Sequence, residues 1–241
     1  MKIIALLTSA ILSVFLFNNL SHQSSPAKST NQMSSEERFV YEIDSLSVNF
    51  ACVLYIEQAA KETLRVEADD NILPAINTTM SGKRLLISFD EKVAPRPESA
   101  ITIYLSVKDL EKIELSGASQ IYSEGVLKFQ DINLDVQGSS LLSLDIETKR
   151  LEAEIRGKAK FLLRGHAINQ FVHINGAGKY QADELISKNA QVKISGSGKA
   201  AIFANNALDA KVNGTGRLRY SGQPRITKEV SGAGRIESVK T

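Results

Sequence analysis

Ile174-Asn175-Gly176-Ala177-Gly178, Ile194-Ser195-Gly196-Ser197-Gly198 and Val212-Asn213-Gly214-Thr215-Gly216 are three copies of one short text. Working outward, the central glycine recurs as Gly117, Gly138, Gly157, Gly176, Gly196, Gly214 and Gly232, at intervals of 18 to 21 residues. A near-constant period of this size marks a stacked repeat. Two residues before each glycine stand Leu115, Val136, Ile155, Ile174, Ile194, Val212 and Val230. Four residues after stand Ile121, Leu142, Phe161, Tyr180, Ala200, Leu218 and Ile236. Apolar residues at every second position, with polar ones such as Glu114, Asp135, Glu154 and His173 between them, predict strands with one buried face. The inward column four before the glycine is broken once, by Lys228.

Each glycine therefore separates two short strands. The residue two after it is always small, from Ser119, Ser140 and Ala159 to Gly178, Gly198, Gly216 and Gly234. Small residues let the backbone turn sharply, and a bulky one would collide within a column of stacked corners. A unit of this size cannot bury its apolar face alone, so stacking must supply the core. The expectation is an all-β, right-handed parallel β-solenoid of about 20 residues per turn. An antiparallel sandwich would need hairpin dipeptides at close intervals, which the repeat does not provide.

Residues 1–17 carry Lys2 and then an apolar run interrupted by Thr8, Ser9 and Ser13, the pattern of a secretory signal peptide. That run is short for a membrane span, so membrane attachment is expected only if the leader stays uncleaved. We assign 1–27 to the leader and the start of a linker. Residues 28–38 continue it as a disordered linker, 39–109 form irregular β turns or a cap, and 110–239 form the regular glycine-cornered turns. A short helix is expected within 70–80, and a loop over 91–99 around Pro95 and Pro97.

A net charge of +2 gives no strong field for nucleic acid. The single Cys52 excludes an internal disulfide and is expected buried in a strand. His166 and His173 lack a second His or Cys at zinc-ligand spacing, and no cofactor is expected. Gly196-Ser197-Gly198-Lys199-Ala200 is not a phosphate loop, because its glycine spacing is wrong and no Ser or Thr follows the lysine. The acidic column Glu114, Asp135, Glu154 offers carboxylates to a divalent cation or simply to solvent. No carboxylate pair is tied to a groove as polysaccharide cleavage requires, so the chain is not expected to be an enzyme.

The sharpest functional pattern lies three residues after the glycines: Lys160, Lys179, Lys199, Arg217 and Arg235. On a solenoid these cations form a line at about 4.8 Å spacing. Such a line suits an acidic glycan or another anionic envelope component; it also serves as a solvated face that resists aggregation. A second polar column, Ser116, Gln137, Arg156, Asn175, Ser195, Asn213 and Ser231, is placed to form a hydrogen-bonded ladder.

The Val/Ile-x-Gly-x-Gly corners, the closing Val230-Ser231-Gly232-Ala233-Gly234 and the upstream Ile101-Thr102-Ile103-Tyr104-Leu105 together resemble the auto-transporter adhesin "head GIN" domain family. The resemblance covers residues 39–239. It implies an exported protein of the periplasm, outer membrane or cell surface, and it brings no catalytic residues. The expected function is a non-enzymatic cell-envelope module that binds a glycan or a protein through the solenoid surface, adhesive use included. The alternative is a scaffold that self-associates through its open C-terminal strand edge.

Overall fold

The computed structural model describes residues 32–90, 92–93 and 100–239. The expected leader, the linker through residue 31 and most of the 91–99 loop lie outside the described residues. Among the described residues no helix is long and apolar enough to cross a membrane.

The chain is a parallel β-solenoid of about seven turns with about 19-residue spacing. Its regular part comprises β8 (Lys112–Gly117), β9 (Gln120–Gly138), β10 (Leu141–Gly157), β11 (Lys160–Gly176) and β12 (Lys179–Gly196). From there each turn is broken into two strands: β13 (Lys199–Phe203), β14 (Ala207–Gly214), β15 (Arg217–Ser221), β16 (Arg225–Gly232) and β17 (Arg235–Ser238). Glycine pairs with glycine, Gly138 with Gly157, Gly157 with Gly176 and Gly176 with Gly196, all in parallel register.

The sequence leaves two or three strands per turn open; the burial pattern shows three inward segments. In β12 the buried residues run Tyr180 and Ala182, then Leu185 and Ser187, then Ala190, Val192 and Ile194. The inward phase breaks at residues 183–184, at 188–189 and at the glycine corner. The coil therefore has three faces: one leading into the corner, one trailing from it, and a third joining them. Gly165 and Gly222 give a second positive-φ position at the break between the trailing and third faces.

The corner glycine answers to two constraints at once. Gly176 has φ +124°, and a Cβ there would lie 2.8 Å from the carbonyl oxygen of Gly157 in the preceding turn. The small column two residues later is explained differently from the expected corner-to-corner collision. A Cβ on Gly178 would lie 2.4 Å from Cγ2 of Ile155, and one on Gly198 would lie 2.6 Å from Cγ2 of Ile174. The core isoleucine of one turn fills the space that a side chain would need in the next.

The cap preceding the coil is interleaved. Its strands are β1 (Met33–Arg38), β2 (Ser45–Val48), β3 (Val53–Gln58), β4 (Thr63–Asp69), β5 (Ile76–Ser81), β6 (Arg84–Phe89) and β7 (Thr102–Val107). The rung β6–β7 lies outermost. The earlier β2–β3 rung is inserted between it and β8–β9, with all these pairings parallel. β5 closes one edge against β6, and β4 and β1 close the other against β7, all antiparallel. Met33–Arg38 is thus a paired strand, which corrects the C-terminal part of the linker expected over 28–38. Within 70–80 the only helical element is a 3-10 turn at Leu73–Ala75, between a turn over 70–72 and the start of β5 at Ile76. One contiguous apolar core runs from Val40 to Leu218.

Cys52 is buried, as expected, but it sits in the corner column immediately before β3. Its carbonyl accepts from Gln120 N, as the Ser119 carbonyl accepts from Leu141 N one turn on. Burial pushes its thiol up to about 12.

Candidate functional site

The trailing face carries the predicted cations. Lys160 pairs with Lys179, Lys179 with Lys199, Lys199 with Arg217, and Arg217 with Arg235, so all five share one column. Residues alternate faces along a strand, and since Phe161, Tyr180, Ala200 and Leu218 are buried, the cations next to them face outward. Lys179, Lys199, Arg217 and Arg235 are exposed, and Lys160 is half-buried. Arg235 lies 4.0 Å from Glu237. Among the described residues, no other carboxylate stands within ion-pair distance of these five cations. Arg219, in register with Ala201 two residues along the strand, adds a cation that the column pattern missed.

The leading face has the opposite character. Glu114, Asp135 and Glu154 do share a column, but cations already occupy it. Arg84 Nη2 lies 2.7 Å and Lys112 Nζ 2.6 Å from Glu114. Arg156 Nη1 lies 2.5 Å from Glu154, and Arg156 also pairs with Asp135. The hydrogen bond from Lys112 holds the Glu114 carboxyl below its ordinary range. Further along, Lys211 Nζ lies 3.1 Å from Glu229. A shallow groove on this face includes Phe171, His173 and Lys193, with Arg150 stacked over Phe171 at 4.1 Å. Among the described residues no group of three or more His, Cys, Asp or Glu side chains is arranged to hold a metal.

In the polar column Ser116 to Ser231, Arg156 Nη2 donates to the Gln137 side-chain oxygen at 2.9 Å, while Asn175, Ser195 and Asn213 make no side-chain hydrogen bonds to one another. An amide pair stands elsewhere, where Asn189 Nδ2 donates to Asn169 Oδ1 at 2.9 Å.

The interleaved cap assembles a feature invisible in the linear chain. Tyr104, Tyr55 and Tyr122 share an outward column on the trailing face. Their rings stack at 5.5 and 5.7 Å between centroids, and the Arg65 guanidinium covers Tyr104 at 3.9 Å. Only the spatial insertion of β3 between β7 and β9 brings them together.

The last rung is guarded. Lys228 lies in register with Ala210, in a column that buries Ile113, Leu134 and Val172 earlier in the coil. A charge at an inward position is one way that sheet edges resist further pairing.

A family model described as "Putative auto-transporter adhesin, head GIN domain" matches residues 43–224. A crystal structure of a "putative adhesin" from Bacteroides fragilis superposes with TM-score 0.84 at 21% identity, covering 88% of this chain and 99% of that one. A "putative lipid binding protein" from Parabacteroides distasonis gives TM-score 0.73 at 21% identity, with coverage of 89% and 100%. A "putative adhesin" from Parabacteroides merdae gives 0.71 at 22%, with coverage of 88% and 98%. At these identities the likeness speaks for the fold. No curated protein matches the chain.

Proposed function

This chain belongs to the auto-transporter adhesin head GIN domain family, and on that footing we propose that it is an exported, non-enzymatic binding module of the cell envelope. Its ligand is an acidic glycan lying along the trailing face. The observation that carries this reading is the uncompensated column Lys160, Lys179, Lys199, Arg217, beside a leading face whose carboxylates Glu114, Asp135, Glu154 and Glu229 are all ion-paired. Neighbouring cations at about 4.8 Å repel by roughly 1 kcal/mol each in water. A solvated face gains resistance to aggregation from such cations, but only a polyanion relieves the repulsion at every rung. The stacked backbone fixes the spacing before the ligand arrives, so little ordering cost remains.

Self-assembly through the C-terminal edge is the other reading. Ile226 and Val230 are exposed there and favour it, but Lys228 in the inward column opposes stacking of a second copy. The module reading is therefore preferred.

The test is binding of the full chain to immobilised polyuronate and sulfated glycan. Changing Lys179, Lys199 and Arg217 together to Ser should weaken binding by roughly 100-fold, if each charge contributes about 1 kcal/mol. Binding should also fall as ionic strength rises. Equal binding by the triple variant sinks the proposal.

A further inference from the structure

We propose that the cap carries a second, independent ligand site that takes a neutral oligosaccharide chain, held against aromatic rings in the groove between residues 39–42 and the tyrosine column. The chain is poor in aromatics and has no Trp, yet four of its six tyrosines gather here. Tyr41, Tyr55 and Tyr104 line a groove of about 780 Å³, and Tyr122 stacks on Tyr55. That volume is within the range of small-molecule sites, roughly 300–1,000 Å³.

The segment over residues 39–44 holds its aromatics outward. Val40 and Ile43 are buried, while Phe39 is 84% and Tyr41 47% exposed. The two exposed rings contact each other at 5.6 Å. The segment is tied at its far end, where Ile43 N donates to Glu62 Oε1 at 3.1 Å and Asp44 N to the Lys83 carbonyl at 3.0 Å. Between the rings and that anchor, Glu42 has φ +45°, a left-handed conformation that is uncommon for a residue other than glycine. Backbone strain of this kind collects at ligand clamps.

The polar lining selects the ligand. Glu37, Glu42, Glu57, Glu62 and Glu124 line the groove together with Arg38, Lys61, Arg65 and Lys108, so acceptors and donors are nearly balanced there. Ionised carboxylates only accept hydrogen bonds and Lys and Arg only donate them, so the lining suits hydroxyls, which do both, and gives no strong field for an ion. Pyranose rings offer a C–H face to an aromatic ring and hydroxyls to carboxylates. The groove is thus close to neutral where the lysine column is strongly cationic, and the two sites differ in what they attract.

Tyrosine emission reports the site directly, because no Trp masks it. The full chain is titrated with cellohexaose, maltohexaose and chitohexaose. At least one should change the emission saturably at millimolar concentration or below. Phe39→Ser with Tyr41→Ser, both at exposed positions, should weaken that binding at least tenfold without changing the thermal midpoint. The Lys179, Lys199, Arg217 to Ser variant should leave it unchanged, which separates this site from the cationic column. No saturable response to any of the three sugars overturns the proposal. So does undiminished binding by the double variant, or a double variant that instead loses binding to zwitterionic phospholipid vesicles.

Discussion

The coil after residue 110 and the cap before it build the same rungs by different means. In the coil each strand finds its partner by translation: Lys160 pairs with Leu141 from the turn before and Lys179 from the turn after. In the cap, Ser45 is held between Arg84 and Lys112, and the chain must leave its rung, close an edge with antiparallel strands and return. The lesson is that repetition removes choices. A periodic sequence offers each strand a partner one period away, whereas the cap must close longer loops before its pairings contribute. The coil accordingly carries a regular cationic column, and the cap carries an irregular aromatic cluster.

The sharpest way to break the comparison is to put a methyl group at one glycine in each region. Gly176→Ala meets the Gly157 carbonyl at 2.8 Å with φ at +124°, so strain and overpacking combine. A loss of about 3 kcal/mol or more is expected by chemical denaturation. Gly82→Ala, in the β5–β6 turn of the cap, has φ +61° and nothing within 4 Å of the new atom. It should cost about 1 kcal/mol, the left-handed conformation alone. Equal losses would mean that stacking at the corner is looser than described.

A smaller effect sharpens the account of the coil. Gly198→Ala pushes a Cβ to 2.6 Å from Ile174 Cγ2 and should cost roughly 1–3 kcal/mol. Combined with Ile174→Ala, the pair should be less destabilised than the sum of the single changes, because the contested space is then empty. Strict additivity would remove the isoleucine as the reason for the small column.

The smallest effect returns to the cap, where Cys52 occupies the same column. Its thiol is raised from 9.0 to about 12 by burial, so folding favours the protonated form. The contribution is fully present below pH 9 and is lost as pH rises from there towards 12. Between pH 7 and pH 9.5 the unfolded thiol ionises and the folded one does not, which lowers stability by on the order of 1 kcal/mol. Cys52→Ala should remove that increment from the pH dependence. Rapid alkylation of the native thiol at pH 8 would contradict its burial.

Much of the fold was legible because the coil repeats. The glycine column, the buried columns at Leu115 and Ile121, and the alignment of Lys160 with Lys179, Lys199, Arg217 and Arg235 follow from counting. Counting failed where a residue's neighbour lay off the period. Met33–Arg38 has the composition of a linker, yet β4 offers it an open edge. The ion pairs that neutralise Glu114 involve Arg84, which belongs to a rung the sequence does not place beside it. Tyr55 and Tyr104 have no common spacing with Tyr122, so nothing linear announced their stack.

By itself the sequence determined the parallel coil, its pitch and the outward line of cations, because a period of alternating residues admits one stacking that buries every apolar column. Only the tertiary structure decided the order of the cap rungs, the pairing that silences one charged face and the gathering of the aromatic rings. Those depend on contacts between segments far apart in the chain, and local pattern carries no information about which distant strand will fill an open edge.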